Sequence, residues 1–264
     1  MKTLVLGAAY GYRPKDLFPF VISLRRHYRG DVLFITDTLD QEFTDFYNNY
    51  NIITFDIGNA FADRWNMQFE RFNLYQHVIE TYFEDTERIL LTDTRDVIFQ
   101  DDPFCYKAEA ELEFFHEPQL YSKCACNANW IRERYGNDEY EKLKEKWIIC
   151  SGTTMGSRQG ILAYINAMVT EIGNQPKGPQ ILDQPIHAHL IYQGTFPDYR
   201  LYQNGEGPIS TLHHQLILNI DRQGQLRNKD GSVIPVLHQW DRMGLIKDTL
   251  EHVAIHGPGP APEV

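Results

Sequence analysis

The stretch RILLTDTRDVIFQDDP, residues 88–103, carries an apolar strand, RILLTD (88–93), straight into a cluster of acids. Ile89, Leu90 and Leu91 follow one another without a polar break, the pattern of a strand covered on both faces in a parallel sheet. Asp93 and Asp96 flank Thr94 and Arg95, and Asp101 and Asp102 follow. The chain already carries a formal net charge of −11, so more negative charge at a strand end adds no stability. In open α/β sheets ligands bind beyond the carboxyl ends of the strands, and Asp93 and Asp96 stand at such an end. Hard cations such as Mg²⁺ and Mn²⁺ prefer carboxylate oxygens and accept phosphate as a further ligand. The two acids are therefore a candidate metal grip on a diphosphate. The alternative is a solvated acidic loop in which Arg95 pairs with its neighbours.

Strand and helix patterns alternate ahead of this stretch. KTLVLGAA (2–9), DVLFITD (31–37) and NIITFDI (51–57) read as strands, with helices at 15–29, 40–50 and 65–84. Leu17, Phe18, Val21, Ile22, Leu24 and Tyr28 give the first helix its apolar face. The second half is less regular. LEFFHE (112–117) and WIICSGTTMGS (147–157) read as strands, and 127–146, 158–173 and 179–193 as helices. YRLYQN follows, then a hairpin from LILNID to SVIPVLHQ around Asp230-Gly231, then a short helix at 245–253. No internal repeat or linker divides the chain. The expectation is one α/β domain over 1–264, with a nucleotide-binding half (1–104), a second half (105–256) and a Pro/Gly-rich flexible tail (257–264).

Composition narrows the function. An apolar share of 42% with 13% aromatics is that of a globular protein. No Lys/Arg-rich run offers the basic face that a nucleic acid or anionic membrane requires. No segment reaches the ~20 apolar residues of a transmembrane span, and the apolar run of MKTLVLGAAYGYRP is too short for a signal peptide. Cys105, Cys124, Cys126 and Cys150 fit no CxxC pattern and read as reduced thiols, so a cytoplasmic location is expected. Phosphate loops of the GxxxxGK[ST] and GxGxxG kinds are missing, and no GxSxG surrounds Ser151-Gly152. A haloacid dehalogenase type of phosphatase would need DxDxT, whose second acid falls on Arg95.

The run FERFNLYQHVIETYFEDTERILLTDTRDVIFQDDPF (69–104) resembles the core of GT-A glycosyltransferases, closest in layout to the retaining family-eight galactosyl- and glucosyltransferases. There a helix bearing an arginine leads to a strand ending in a DxD metal motif. Arg71 and Asp93 match those features, with DTRD in place of DxD, and Asp93 and Asp96 are taken together. LVLGAAYGY (4–12) is similar to the family's first strand and base-contacting loop, which implies Ala8, Ala9 and Tyr10 near the base. CSGTTMGS (150–157) resembles the strand whose small residues, here Ser151 and Gly152, face the donor sugar. LDQPIHAHLIYQG (182–194) resembles the segment in which Asp183 orients hydroxyls and Gln184 lies near the anomeric carbon. VIPVLHQWDR (233–242) looks like the late strand whose histidine, here His238, completes the metal site. The five blocks occur in family order.

The resemblance implies a GT-A fold, Rossmann-like, with a mostly parallel sheet flanked by helices and an irregular C-terminal half. It also implies Mn²⁺ or Mg²⁺ on Asp93, Asp96 and His238, a UDP-sugar donor, a glycan acceptor and retention of configuration. Thr94, Arg95, Arg242 and Lys247 join the donor-binding set, the last two as diphosphate cations. Each has a plainer alternative: His238 as a packing histidine, Asp183 as a helix N-terminal acid, Arg71 as a surface arginine. An inverting enzyme would instead use Asp183 or Glu117 as general base. Two other classes stay open, a nucleotide-sugar hydrolase or pyrophosphorylase-like enzyme and a non-catalytic sugar-nucleotide-binding module. Oligomeric state is not legible.

Overall fold

A computed structural model of the chain describes residues 1–37, 40–58, 67–175 and 183–259. In chain order the elements of the first half are β1 (Thr3–Ala8), α1 (Pro14–His27), β2 (Asp31–Thr36), α2 (Gln41–Asn49), β3 (Ile53–Asp56), α3 (Met67–Tyr82), β4 (Arg88–Asp93) and β5 (Val97–Phe99). The second half contributes β6 (Leu112–Leu120), α4 (Ala125–Tyr135), α5 (Asn137–Leu143), β7 (Trp147–Ile149), β8 (Thr153–Ser157), α6 (Arg158–Asn174) and α7 (Asp183–Tyr192). β9 (Tyr199–Tyr202), β10 (Ile209–Thr211), β11 (Val236–His238) and α8 (Lys247–His256) complete it. The expected helix positions 65–66 and 179–182, and tail positions 260–264, lie outside the described residues.

The chain is an α/β protein built on a mixed, mostly parallel sheet in the order β3-β2-β1-β4-β8-β6-β7, with β9 against β6. β1, β2, β3 and β4 run parallel, as their unbroken apolar runs predict. Alternate residues of each strand enter opposite cores. Leu4, Leu6, Ile89 and Leu91 pack with α3 and α6 on one face, and Val5, Val32 and Leu90 pack with α1 and α2 on the other. Local chemistry fixes the helix starts. Pro14 opens α1 and the Asp16 carboxylate accepts from Arg13 N–H at 3.0 Å, Asp40 caps α2, and Ser157 caps α6.

Several sequence-based boundaries are corrected. The expected helix over 127–146 is two, broken where Gly136 adopts φ 83°. The expected strand over 147–157 divides into β7 and β8, because the backbone between them bonds elsewhere: Gly152 C=O accepts from Asp93 N–H at 2.7 Å and Ser151 N–H donates to Gln184 Oε1 at 2.9 Å. β8 then continues antiparallel to β6, as β7 is, and pairs antiparallel with β4 on its other side. The expected hairpin around Asp230-Gly231 shrinks to single bridges, Ile220–Leu226 and Arg227–Val233. Its last strand, β11, instead pairs with β5 (antiparallel) and β10 (parallel) in a separate three-stranded sheet.

Candidate metal centre and its cleft

The TDTRD turn is the corner where the chain leaves the main sheet for the small one. Asp93 ends β4, and Asp96 directly precedes β5. β5 is zipped to β11 in a register that sets Val97 opposite His238, so pairing alone delivers the histidine beside Asp96. Gln239 then turns the chain with φ 57° and gives its N–H to the Asp96 carbonyl at 2.7 Å. Between the two acids, Thr94 Oγ1 donates to the Ala8 carbonyl at 2.9 Å, which tacks the corner to the end of β1. Arg95 lies between Asp96, 3.7 Å from its Oδ2, and Asp241, to whose Oδ2 it donates at 2.7 Å.

Asp93, Asp96 and His238 each offer one ligand atom, and these atoms lie within 4.8 Å of one another. His238 Nε2 stands 3.6 Å from Asp93 Oδ2 and 3.7 Å from Asp96 Oδ1, too far for hydrogen bonds and suited to sharing one ion. That nitrogen is buried and has no hydrogen-bond partner among the described residues. The second oxygen of each acid is held by an arginine. Arg71 donates to Asp93 Oδ1 at 3.0 Å, and Arg242 to Asp96 Oδ2 at 3.0 Å. The two carboxylates suit Mn²⁺ or Mg²⁺, and the imidazole suits the transition metal of the two better. A Cβ on Gly152 would come within 2.7 Å of Asp93 Oδ2 and 2.8 Å of His238 Nε2, so only glycine leaves the three ligand atoms their places.

Arg71 reaches past Asp93 to clasp Asp183 as well, linking α3, β4 and the start of α7. Although burial works the other way, the His238 ring and Arg71 hold the Asp93 carboxyl well below the ordinary range. Gln184 is fully used. Its Oε1 accepts from Ser151 N–H and Oγ at 2.9 and 2.6 Å, and its Nε2 donates to Glu117 Oε1 at 3.1 Å. Burial pushes the Glu117 carboxyl up, with His238 and the Gln184 amide opposing. In the hydrogen-bonded cluster four carboxylates (Asp93, Asp96, Asp183, Asp241) face three guanidiniums (Arg71, Arg95, Arg242). The formal charge is −1, and a divalent cation makes it +1, the sign a diphosphate needs.

A cleft of about 740 Å³ opens over this cluster. The structure places Ala8, Tyr10, Arg71, Asp93, Thr94, Arg95, Asp96, Ser151, Asp183, Gln184 and Arg242 in its lining. Gly152 and His238 are not in that lining, and both lie against Asp93. Ala9, by contrast, is 1% exposed and packs into the core on the α1 side. Lys247, at the start of α8, does not line the cleft. Sequence reading passed over Asp241, which neutralises Arg95, and Cys150, which touches the far side of His238. Asp241 sits in the same VLHQWDR block as His238 and Arg242, a signal that was available. Trp130, Gln119 and Asn127 form a further wall of the cleft from β6 and α4. Asn127 and Trp130 share one helix face by their spacing of three.

No protein-family model and no curated protein matches the chain. Among the described residues, no helix is long and apolar enough to cross a membrane.

Proposed function

We propose that the protein is a metal-dependent glycosyltransferase of the GT-A kind, moving a hexose from a UDP-sugar to a glycan acceptor with retention. The observation that carries this reading is the convergence of Asp93, Asp96 and His238 at the carboxyl end of β4, on the floor of a cleft large enough for a nucleotide sugar. A divalent cation held by these three supplies Lewis acidity that offsets charge building on the leaving diphosphate. Arg95 and Arg242 lie at the same edge and contribute fixed positive charge toward the phosphates. Asp183 is committed to Arg71, so it orients sugar hydroxyls and does not abstract a proton. Glu117, Gln184 and Ser151 form a hydrogen-bonded row that fixes the sugar's surroundings. In the transfer, the bond from the anomeric carbon to the diphosphate breaks with its electron pair leaving on phosphate. The acceptor oxygen forms the new bond on the same face and gives its proton to the departing phosphate oxygen.

The test is thermal shift with UDP-, GDP- and CDP-sugars, each with and without Mn²⁺. A UDP-sugar at a hundredfold its Kd is expected to stabilise the fold by about 2.7 kcal/mol, only with Mn²⁺ present. Asp96→Ala removes that metal-dependent stabilisation while the protein stays folded. Stabilisation by no nucleotide sugar in the presence of Mn²⁺ overturns the reading. Release of free sugar without transfer assigns a hydrolase.

A further inference from the structure

We propose that Cys150 is a positioning residue for the metal centre, accepting the Nδ1–H of His238 and thereby turning the Nε2 lone pair toward Asp93 and Asp96. The inference rests on the metal reading of the triad and not on the transfer reaction.

The geometry is specific. Cys150 Sγ lies 3.1 Å from His238 Nδ1, within hydrogen-bond range for sulfur, and both residues are 1% exposed. The nearest other polar contact to that nitrogen is Thr211 Oγ1 at 3.5 Å, at the limit of a hydrogen bond. The opposite ring nitrogen, Nε2, has no hydrogen-bond partner among the described residues and faces the two carboxylates. A neutral imidazole carries one proton, so a partner on one nitrogen decides which nitrogen can hold a cation. A proton on Nε2 would block the ion and leave Nδ1 to accept the Cys150 S–H, so holding a cation requires the other tautomer. A proton on Nδ1 gives every atom a role: Nδ1–H donates to Sγ, and Nε2 is left to the metal.

The backbone explains why a cysteine stands there. Cys150, Ser151 and Gly152 make the turn from β7 to β8, and each serves a different part of the site. Ser151 holds Gln184, Gly152 clears the ligand atoms, and Cys150 sits behind the ring. Cys150 N–H is tied to the Phe115 carbonyl at 2.8 Å, which fixes where its side chain starts. Sulfur is a weak acceptor, but with the ring sealed from water it is the acceptor at hand.

The experiment titrates the protein with Mn²⁺ alone, by calorimetry, and compares wild type with Cys150→Ala and Cys150→Ser. Thermal midpoints in EDTA report folding separately. Cys150→Ala is expected to weaken Mn²⁺ binding roughly 10- to 100-fold, the usual loss when an outer partner of a ligating histidine goes. Cys150→Ser, which keeps an acceptor, restores affinity to within about threefold of wild type. An alanine variant that lowers the EDTA midpoint but binds Mn²⁺ like wild type overturns the proposal, since its role is then packing. If alanine does not fold, ¹⁵N spectra of the wild-type His238 ring with Mg²⁺ decide the matter. A proton on Nδ1 supports the proposal and a proton on Nε2 overturns it. Failure of wild type to bind Mn²⁺ removes the metal site and this proposal together. Normal Mn²⁺ binding without nucleotide-sugar binding leaves this inference standing while the transferase reading falls.

Discussion

Gly152 shows how one side chain can govern a site by being missing. Its backbone accepts the Asp93 N–H at 2.7 Å, which pulls the turn against the end of β4. At that distance a Cβ would press on Asp93 Oδ2 at 2.7 Å and on His238 Cε1 at 2.6 Å. Neither neighbour can retreat freely, because Arg71 holds Asp93 and Cys150 backs His238. Gly152→Ala is therefore expected to splay the ligand atoms and weaken Mn²⁺ binding at least tenfold, with overpacking costing about 1–3 kcal/mol of stability. Gly173→Ala is the control: it lies near the end of α6 with open space around it, and Mn²⁺ affinity should not change. Equal Mn²⁺ affinities for the two variants, measured by calorimetry, would remove the steric argument.

The pairing of β5 with β11 is what brings together two candidate metal ligands 142 positions apart, Asp96 and His238. One side chain underpins that small sheet. Gln100, 4% exposed, donates from Nε2 to the carbonyls of Leu226 and Ile234 at 3.0 and 2.8 Å and accepts Leu226 N–H at 2.8 Å. Removing it leaves the Leu226 N–H and the Ile234 carbonyl without this partner, while the Leu226 carbonyl still accepts from Ile234 N–H at 3.1 Å, so Gln100→Ala is expected to cost about 2–4 kcal/mol in urea unfolding. Amide exchange over β11 should quicken in the same variant. Unchanged exchange there would mean that the loop does not hold the strand. This region also marks where sequence reading ran out. β1, β2 and β4 were legible because both of their faces are covered, which writes an unbroken apolar run into the chain. The acids at the end of β4 were legible for the same reason, as charge placed where packing has no use for it. No local pattern encodes that β5 abandons the first sheet. The apolar run Val97, Ile98 and Phe99 reads the same whichever strand it joins. Cys150 was invisible for a related cause, since its role comes from His238, 88 positions away.

The core on the α3 and α6 side of the main sheet meets the site through α7, whose first turn carries Asp183 and Gln184 and whose second carries His187. His187 is fully buried, packed against Phe114, and its Nδ1 lies 2.8 Å from the Tyr164 hydroxyl. Burial, with the Arg71 charge adding to it, pushes its pKa down to about 3. The ring is thus neutral in the folded protein, whereas the unfolded chain protonates it below its ordinary value near 6.5. Between those values the unfolded state binds the additional proton, so stability falls as pH falls, by about 1.4 kcal/mol per pH unit. His116, which burial pushes down to about 4, adds a second contribution of the same sign. The carboxyls of Asp96 and Glu117, raised by burial, act in the opposite sense and blunt the overall curve. Comparing wild type with His187→Gln cancels every group the two share. From pH 6 to 4.5 the urea-derived stability of the variant should fall less steeply than wild type, by about 1.4 kcal/mol per pH unit. Because His187 lies one turn beyond Asp183 on α7, forced protonation also loosens the hold of Arg71 on that helix. Mn²⁺ affinity is not the readout here, since protons compete directly for the ligands. Parallel stability curves for the two proteins would show that the buried ring does not stay neutral.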